Sequence, residues 1–184
     1  MSYVPANIPV LETERLRLRG FKRRDFDAVA AYKGDPEVMR FTGGAETRPA
    51  AWKSLAAMAG SWDLNGYGYF CVADKQSDEC LGHCSLFYPV DWPGQEIGYT
   101  LARPAQGKGY AVEASRAALR FAYTELGWET AISVIDRDNA ASQSVARKLG
   151  ATLEQENVPI WNFHADIWRH LPPKSFFASD EVTA

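Results

Sequence analysis

Gln106-Gly107-Lys108-Gly109-Tyr110-Ala111 leads into sixteen residues, Val112 to Gly127, that carry the apolar spacing of a helix ending at a glycine. A glycine-rich turn that feeds a helix is an anion cradle. Gly107 and Gly109 have no Cβ, so a ligand can approach the backbone closely. The unpaired N–H groups of the first helical turn point at it, with the positive end of the helix dipole behind them. The stretch predicts a phosphate-bearing ligand.

Before this turn, Glu96-Ile97-Gly98-Tyr99-Thr100-Leu101 reads as a strand, with Gly98 suited to a bulge or a close backbone approach. After the helix, Ala131 to Ile135 is a short β-branched run, Asn139 is placed to cap a helix from Ala140 to Leu149, and Gly150 closes it. The last strands are expected at Thr152 to Gln155 and Trp161 to Trp168. Toward the N-terminus, Leu16 and Leu18 alternate with Arg15, Arg17 and Arg19, the period of a half-exposed strand. Asp25 is a candidate N-cap, and Asp35-Pro36 repeats a start signal before Glu37 to Phe41. A helix from about Ala50 to Trp62 ends at Asn65-Gly66, and Tyr69 to Ala73 with Leu81 to Tyr88 form a hairpin around a polar turn. The order implies an α/β (α+β) fold, a mixed and mostly antiparallel sheet with one parallel pair and flanking helices. One domain is expected over residues 9–172, with tails at 1–8 and 173–184. Phe176 and Phe177 are left to pack either on the domain or on a partner.

The 184 residues, 46% of them apolar, are enough for a globular core. Twenty Lys and Arg against 23 Asp and Glu give a net charge of -3, which offers no general electrostatic case for nucleic acid or an anionic membrane as partner. No apolar run of about 18 residues could span a bilayer. The N-terminus lacks the basic and apolar regions of a signal peptide, so a cytoplasmic location is expected. The three cysteines, Cys71, Cys80 and Cys84, are odd in number and read as reduced thiols. Zinc held by Cys80, His83 and Cys84 would lack a fourth ligand, and neighbours 83 and 84 point to opposite faces of a strand, so no metal is expected.

Spacing discriminates among phosphate motifs. The string GxxxxGK[ST] of a mononucleotide loop does not occur, and the dinucleotide fingerprint fails because Val112 follows where a glycine is needed. The stretch resembles the Q-x-x-G-x-A motif of the GNAT acyl-CoA-dependent acetyltransferases. The likeness continues through Glu96-Ile97-Gly98-Tyr99 before it and Asn139 to Gly150 after it. Asp35 to Phe41 resembles the branch that acetylates ribosomal-protein N-termini. The resemblance implies acetyl-CoA as cosubstrate, a cofactor-binding set of Thr100, Leu101, Gln106, Gly107, Lys108, Gly109, Tyr110, Ala111 and Asn139, and a strand splayed near Gly98 to admit the thioester. Backbone N–H groups from Gly107 to Ala111 would hold the pyrophosphate, and Thr100 and Leu101 would pair with the pantetheine arm. An N–H near Tyr99 or Thr100 would polarise the acetyl carbonyl.

Within that resemblance Asn139 faces the pantetheine amides and Ser142 the sulfur, although a plain helix cap and a plain helix-surface serine stay open for the two. Many members place a tyrosine acid seven residues after the asparagine. Here Ala146 stands there, so protonation of the thiolate falls to Ser142, to water or to another group. Glu96 is the candidate general base, with a solvated surface carboxylate as its rival reading and Asp91 in reserve. His83, His164 and His170 have weaker claims. Tyr88, Trp92, Phe41 and Trp161 could ring the acceptor mouth, with Asp91-Trp92 holding a cationic amine. The expected activity is acetyl transfer to a primary amine, a protein N-terminus such as that of a ribosomal protein in the first instance. A small-molecule amine acceptor, a non-catalytic acyl-CoA-binding regulatory domain and a CoA-independent structural module are the alternatives. Sheet edges leave a homodimer open.

Overall fold

A computed structural model describes residues 7–181. The strands are β1 (Leu11–Glu12), β2 (Leu16–Arg19), β3 (Tyr69–Asp74), β4 (Cys80–Phe87), β5 (Glu96–Leu101), β6 (Ile132–Ile135), β7 (Thr152–Ile160) and β8 (Phe163–Arg169). The helices are α1 (Phe26–Lys33), α2 (Arg48–Asn65), α3 (Tyr110–Thr124), α4 (Ala140–Lys148) and α5 (Pro173–Glu181). The strands form a mixed sheet in the order β1-β2-β3-β4-β5-β6-β8-β7. The pairs β1–β2, β2–β3, β3–β4, β6–β8 and β7–β8 are antiparallel, and β5–β6 is parallel. This is the expected fold class.

Contacts gather in two compact units. The first runs to Ser85 and includes Tyr99–Ala114; the second comprises Leu86–Gly98 and the chain from Ser115 onward. In the first unit, Val29 and Tyr32 of α1 meet Leu55 and Met58 of α2 in a buried cluster. Thr47 caps α2 by accepting from the Ala50 N–H, and Gly66 ends it in the left-handed conformation. The Trp62 indole N–H donates to Tyr69 O at 2.9 Å, tying that helix to β3.

Arg19 departs from the expected alternation. It is 3% exposed, because its guanidinium makes a two-bonded pair with Asp25 and also donates to Asp78. Asp25 is therefore occupied: it precedes α1, but its carboxylate accepts from Arg19 and from the Lys22 N–H and makes no side-chain cap bond to the helix. The Asp35-Pro36 signal produces turns instead of a helix. The Asp35 carboxylate accepts from the Glu37 N–H and from Arg103.

In the second unit, Ile135, Ala146, Ala151 and Trp168 form a buried cluster among β6, α4 and β8. β7 runs five residues past its expected end at Gln155, to Ile160, accommodated by shifts of register between Leu153 and Val158. Residues 173–181, expected as part of a tail, form α5. Phe176 is buried edge-on to Tyr123, 5.3 Å between ring centres, and the Tyr123 hydroxyl donates to Leu171 O. Residues 1–6 and 182–184 of the expected tails lie outside the described residues.

Candidate active site

In the first unit, the turn before α3 has the geometry its glycines imply. Gly107 and Gly109 have φ of 74° and 81°, the left-handed region where a Cβ is unfavourable. A Cβ built on Gly107 meets nothing within 4 Å, so the glycine serves backbone conformation and leaves open space beside it. Gln106, Gly107, Lys108 and Gly109 are exposed, and Tyr110 and Ala111 are half-buried at the start of α3. The Gln106 side-chain amide donates to Leu101 O at 2.9 Å, which fixes the end of β5 to the turn. Thr100 and Leu101 are themselves buried, and Gly82 of β4 lies so close that a Cβ there would sit 2.2 Å from Thr100 O.

Arg15 completes this turn and was not singled out from the sequence. Its guanidinium donates to Lys108 O at 2.9 Å, lies 4.7 Å from the centre of the Tyr110 ring, and pairs with Glu113. Glu113 also accepts from the Thr13 hydroxyl and the Arg15 N–H, and these donors and the Arg15 charge hold its carboxyl below the ordinary range despite burial. The first turn of α3 is thus bolted to the N-terminal strand region by partners 98 residues apart.

In the second unit, Glu96 is 9% exposed, so the rival reading of a solvated surface carboxylate does not hold. The β5–β6 pair is in register at Glu96↔Ile132. Beyond it the connection passes to side chains: the Val134 N–H donates to Glu96 Oε1 at 3.1 Å, and the Ser133 hydroxyl donates to Ile97 O at 2.8 Å. The Trp92 indole N–H donates to the other Glu96 oxygen at 2.7 Å. Burial pushes the Glu96 carboxyl up to about 8, and the Val134 and Trp92 donors pull against that rise. A carboxyl titrating there exchanges a proton near neutral pH, as a general base requires.

Asn139 caps α4, its side-chain oxygen accepting from the Ser142 N–H at 3.1 Å. Ser142 is half-buried one turn into the helix. Ala146 is 1% exposed inside the core cluster, so the position at which the resemblance implies a tyrosine delivers no hydroxyl here. Asp91, the reserve base, is exposed with φ of 62°.

The histidines have other roles. His83 is buried in the first unit, 3.0 Å from the Tyr32 hydroxyl, and burial pushes it down to about 3. His170 is buried in the second, 2.9 Å from the Ser133 hydroxyl, and burial pushes it down to about 4. Because Ser133 gives its proton to Ile97 O, His170 donates through Nε2. Its Nδ1 is a buried acceptor without a partner. His164 is exposed on β8. Cys71, Cys80 and Cys84 form no disulfide, and no group of three metal-ligating side chains occurs among the described residues. None of the helices described is long and apolar enough to cross a membrane.

Residues 15–152 match the family model of the acetyltransferase (GNAT) domain. The chain belongs to the GNAT acetyltransferase family. The uncharacterized protein YkkB of Bacillus subtilis (strain 168) is 33% identical over 163 residues, 82% of this chain and 91% of that protein. The uncharacterized N-acetyltransferase p20 of Bacillus licheniformis is 30% identical over 143 residues, 76% and 80% of the two chains. The solved acetyltransferase from Agrobacterium tumefaciens str. C58 superposes with a TM-score of 0.81 at 27% identity, covering 93% of this chain and 99% of that one. The ribosomal-protein-S5-alanine acetyltransferase from Vibrio fischeri shares the fold, with a TM-score of 0.71 at 18% identity over 90% and 97% of the chains.

Proposed function

We propose that this GNAT acetyltransferase moves the acetyl group of acetyl-CoA directly to a primary amine, with Glu96 as general base. The observation that carries the reading is the Glu96 carboxyl, buried on the parallel strand, gripped by two N–H donors and raised to about 8. An ammonium cannot attack a thioester. Glu96, directly or through water, takes the amine proton as the C–N bond forms, and the tetrahedral intermediate then expels the thiolate. Ser142 gives the thiolate its proton and is re-protonated from solvent. The amine reacts in its neutral form, its first proton having gone to solvent, and Glu96 returns the second to solvent, so protons and charge balance.

The left-handed glycines support the 106–111 backbone as the pyrophosphate clamp, because the first-turn N–H groups of a helix have no partner within it, with Gln106, Lys108, Tyr110 and Ala111 contributing main-chain groups. Thr100 and Leu101, beyond the Glu96↔Ile132 pair of β5 and β6, would pair with the pantetheine arm, and Asn139 offers the amide protons its cap leaves over. No metal enters these steps, and a cytoplasmic site of action suits the cosubstrate. A protein N-terminus is the first acceptor to screen, following the Asp35 to Phe41 resemblance and the shared fold with the Vibrio fischeri enzyme. The test is acetyl-CoA-dependent release of CoA with a panel of N-terminal peptides and small amines, beside Glu96→Gln. Loss of turnover with unchanged acetyl-CoA binding is expected. Full turnover by the variant at neutral pH would remove Glu96 from the mechanism.

A further inference from the structure

We infer that the rings around Glu96 form an acceptor subsite for a primary amine whose neighbouring carbon bears an arylmethyl group. This rests on the proposed acetyl transfer for its reaction, but its binding can be tested without it. Trp92 is the junction. One edge of its indole holds the Glu96 carboxylate, while its ring packs against Phe87 at 5.2 Å, Trp161 at 4.7 Å and Phe163 at 6.2 Å between ring centres. Trp161 is 59% exposed and Phe163 41% exposed. An amine delivered to Glu96 has its substituent beside these rings. An aryl group meets them in edge-to-face or offset contact, and an ammonium arriving before it loses its proton is attracted by the ring faces.

The backbone argues that Trp161 is held there for more than the fold. β7 and β8 pair at Ile160↔Phe163, leaving Trp161 and Asn162 as a two-residue turn. Trp161 has φ of 48° at the first turn position, where glycine, asparagine or aspartate is favoured and a bulky residue is strained. A large apolar side chain is therefore placed, against the preference of its own backbone, largely in solvent and in contact with the ring that holds the candidate base. Strain of this kind collects where a side chain serves a ligand.

Trp161→Asn removes the ring and installs a residue suited to the turn, so its melting temperature should equal or exceed that of the parent protein. Trp92 is kept intact because it holds Glu96. Calorimetric titration of 2-phenylethylamine and of n-butylamine, without acetyl-CoA, should show roughly five- to tenfold tighter binding of the arylalkylamine, a preference lost in Trp161→Asn. With acetyl-CoA, a Phe-initiated tetrapeptide should exceed its Ala-initiated counterpart in kcat/KM by a similar factor. The difference should lie in the acceptor KM and vanish in the variant, while the acetyl-CoA KM stays as in the parent. Comparing that tetrapeptide with 2-phenylethylamine decides between a protein N-terminus and a small amine as source. Equal binding of 2-phenylethylamine and n-butylamine to the parent protein, or a variant that binds 2-phenylethylamine as the parent does, overturns the subsite. So does a variant that melts several degrees lower, since the ring would then serve packing. Aryl preference in binding without any acetyl-CoA turnover would sustain the subsite and defeat the transferase reading instead.

Discussion

The glycine turn at 106–111 and the carboxylate of Glu96 are opposite solutions to placing a polar group. The turn is exposed and carries two left-handed glycines; in the proposed clamp its chemistry resides in main-chain N–H groups, so side chains there should be largely interchangeable. Glu96 is buried, its donors converge on one side chain, and its usefulness depends on what burial does to its proton. Where backbone shape supplies the chemistry, a substitution acts by distorting φ. Where an enclosed carboxyl supplies it, a substitution acts by removing a titrating group.

The largest effect that would sharpen this contrast is Glu96→Gln, which keeps size and hydrogen-bonding reach while removing the proposed base. A fall in kcat of about 10²- to 10⁴-fold with acetyl-CoA affinity unchanged is expected from steady-state kinetics and calorimetry. On the backbone side, Gly107→Ala must hold a Cβ at φ of 74°, and about 1–2 kcal/mol of strain should weaken acetyl-CoA binding roughly tenfold. Lys108→Ala, in the same turn, should change that affinity by no more than about twofold, as exposed charges contribute little. If lysine removal cost more than glycine substitution, the clamp would be made of side chains and the contrast would fail.

Stability should carry the same signature. The Glu96 carboxyl titrates higher in the folded protein than in the unfolded chain, so the fold binds an extra proton between the ordinary carboxyl range and about 8. Stability is then lost as pH rises through that window and levels off above it. Melting temperatures of the parent protein should fall relative to Glu96→Gln between about pH 5 and pH 8.5, by a few degrees. A small shift, above that of Lys108→Ala and below that of Gly107→Ala, belongs to Arg15→Ala. Removing the bond to Lys108 O loosens the turn, and a two- to threefold weakening of acetyl-CoA binding is expected, from about 0.5 kcal/mol of lost hydrogen bonding.

The legibility of the two regions in the sequence follows from the same contrast. Local rules fix left-handed glycines before a helix, the Asn139 cap and the strand–helix order, so these were readable from adjacent residues. The grip of Trp92 and Val134 on Glu96, the bolt from Arg15 to Lys108 and the strained Trp161 depend on strand pairing and on contacts between distant segments, which periodicity does not encode. The same limit applies to Arg19, whose burial comes from Asp25 and Asp78 rather than from its place in an alternating strand, and to α5, where an isolated pair of phenylalanines gave no helical period. Asp35-Pro36 erred in the other direction. The local signal was sound, but Arg103 and the adjacent N–H groups took the carboxylate into a turn.

The most direct measurement is a pH titration of the Glu96 side-chain carboxyl by carbon-13 NMR, assigned by its absence from the spectrum of Glu96→Gln. An inflection near 8 that coincides with the rise in kcat/KM, and that moves higher in Trp92→Phe because a stabilising donor is gone, is the expected result. A carboxyl that titrates near its ordinary value, or one whose inflection leaves kcat/KM flat, would contradict Glu96 as the buried base.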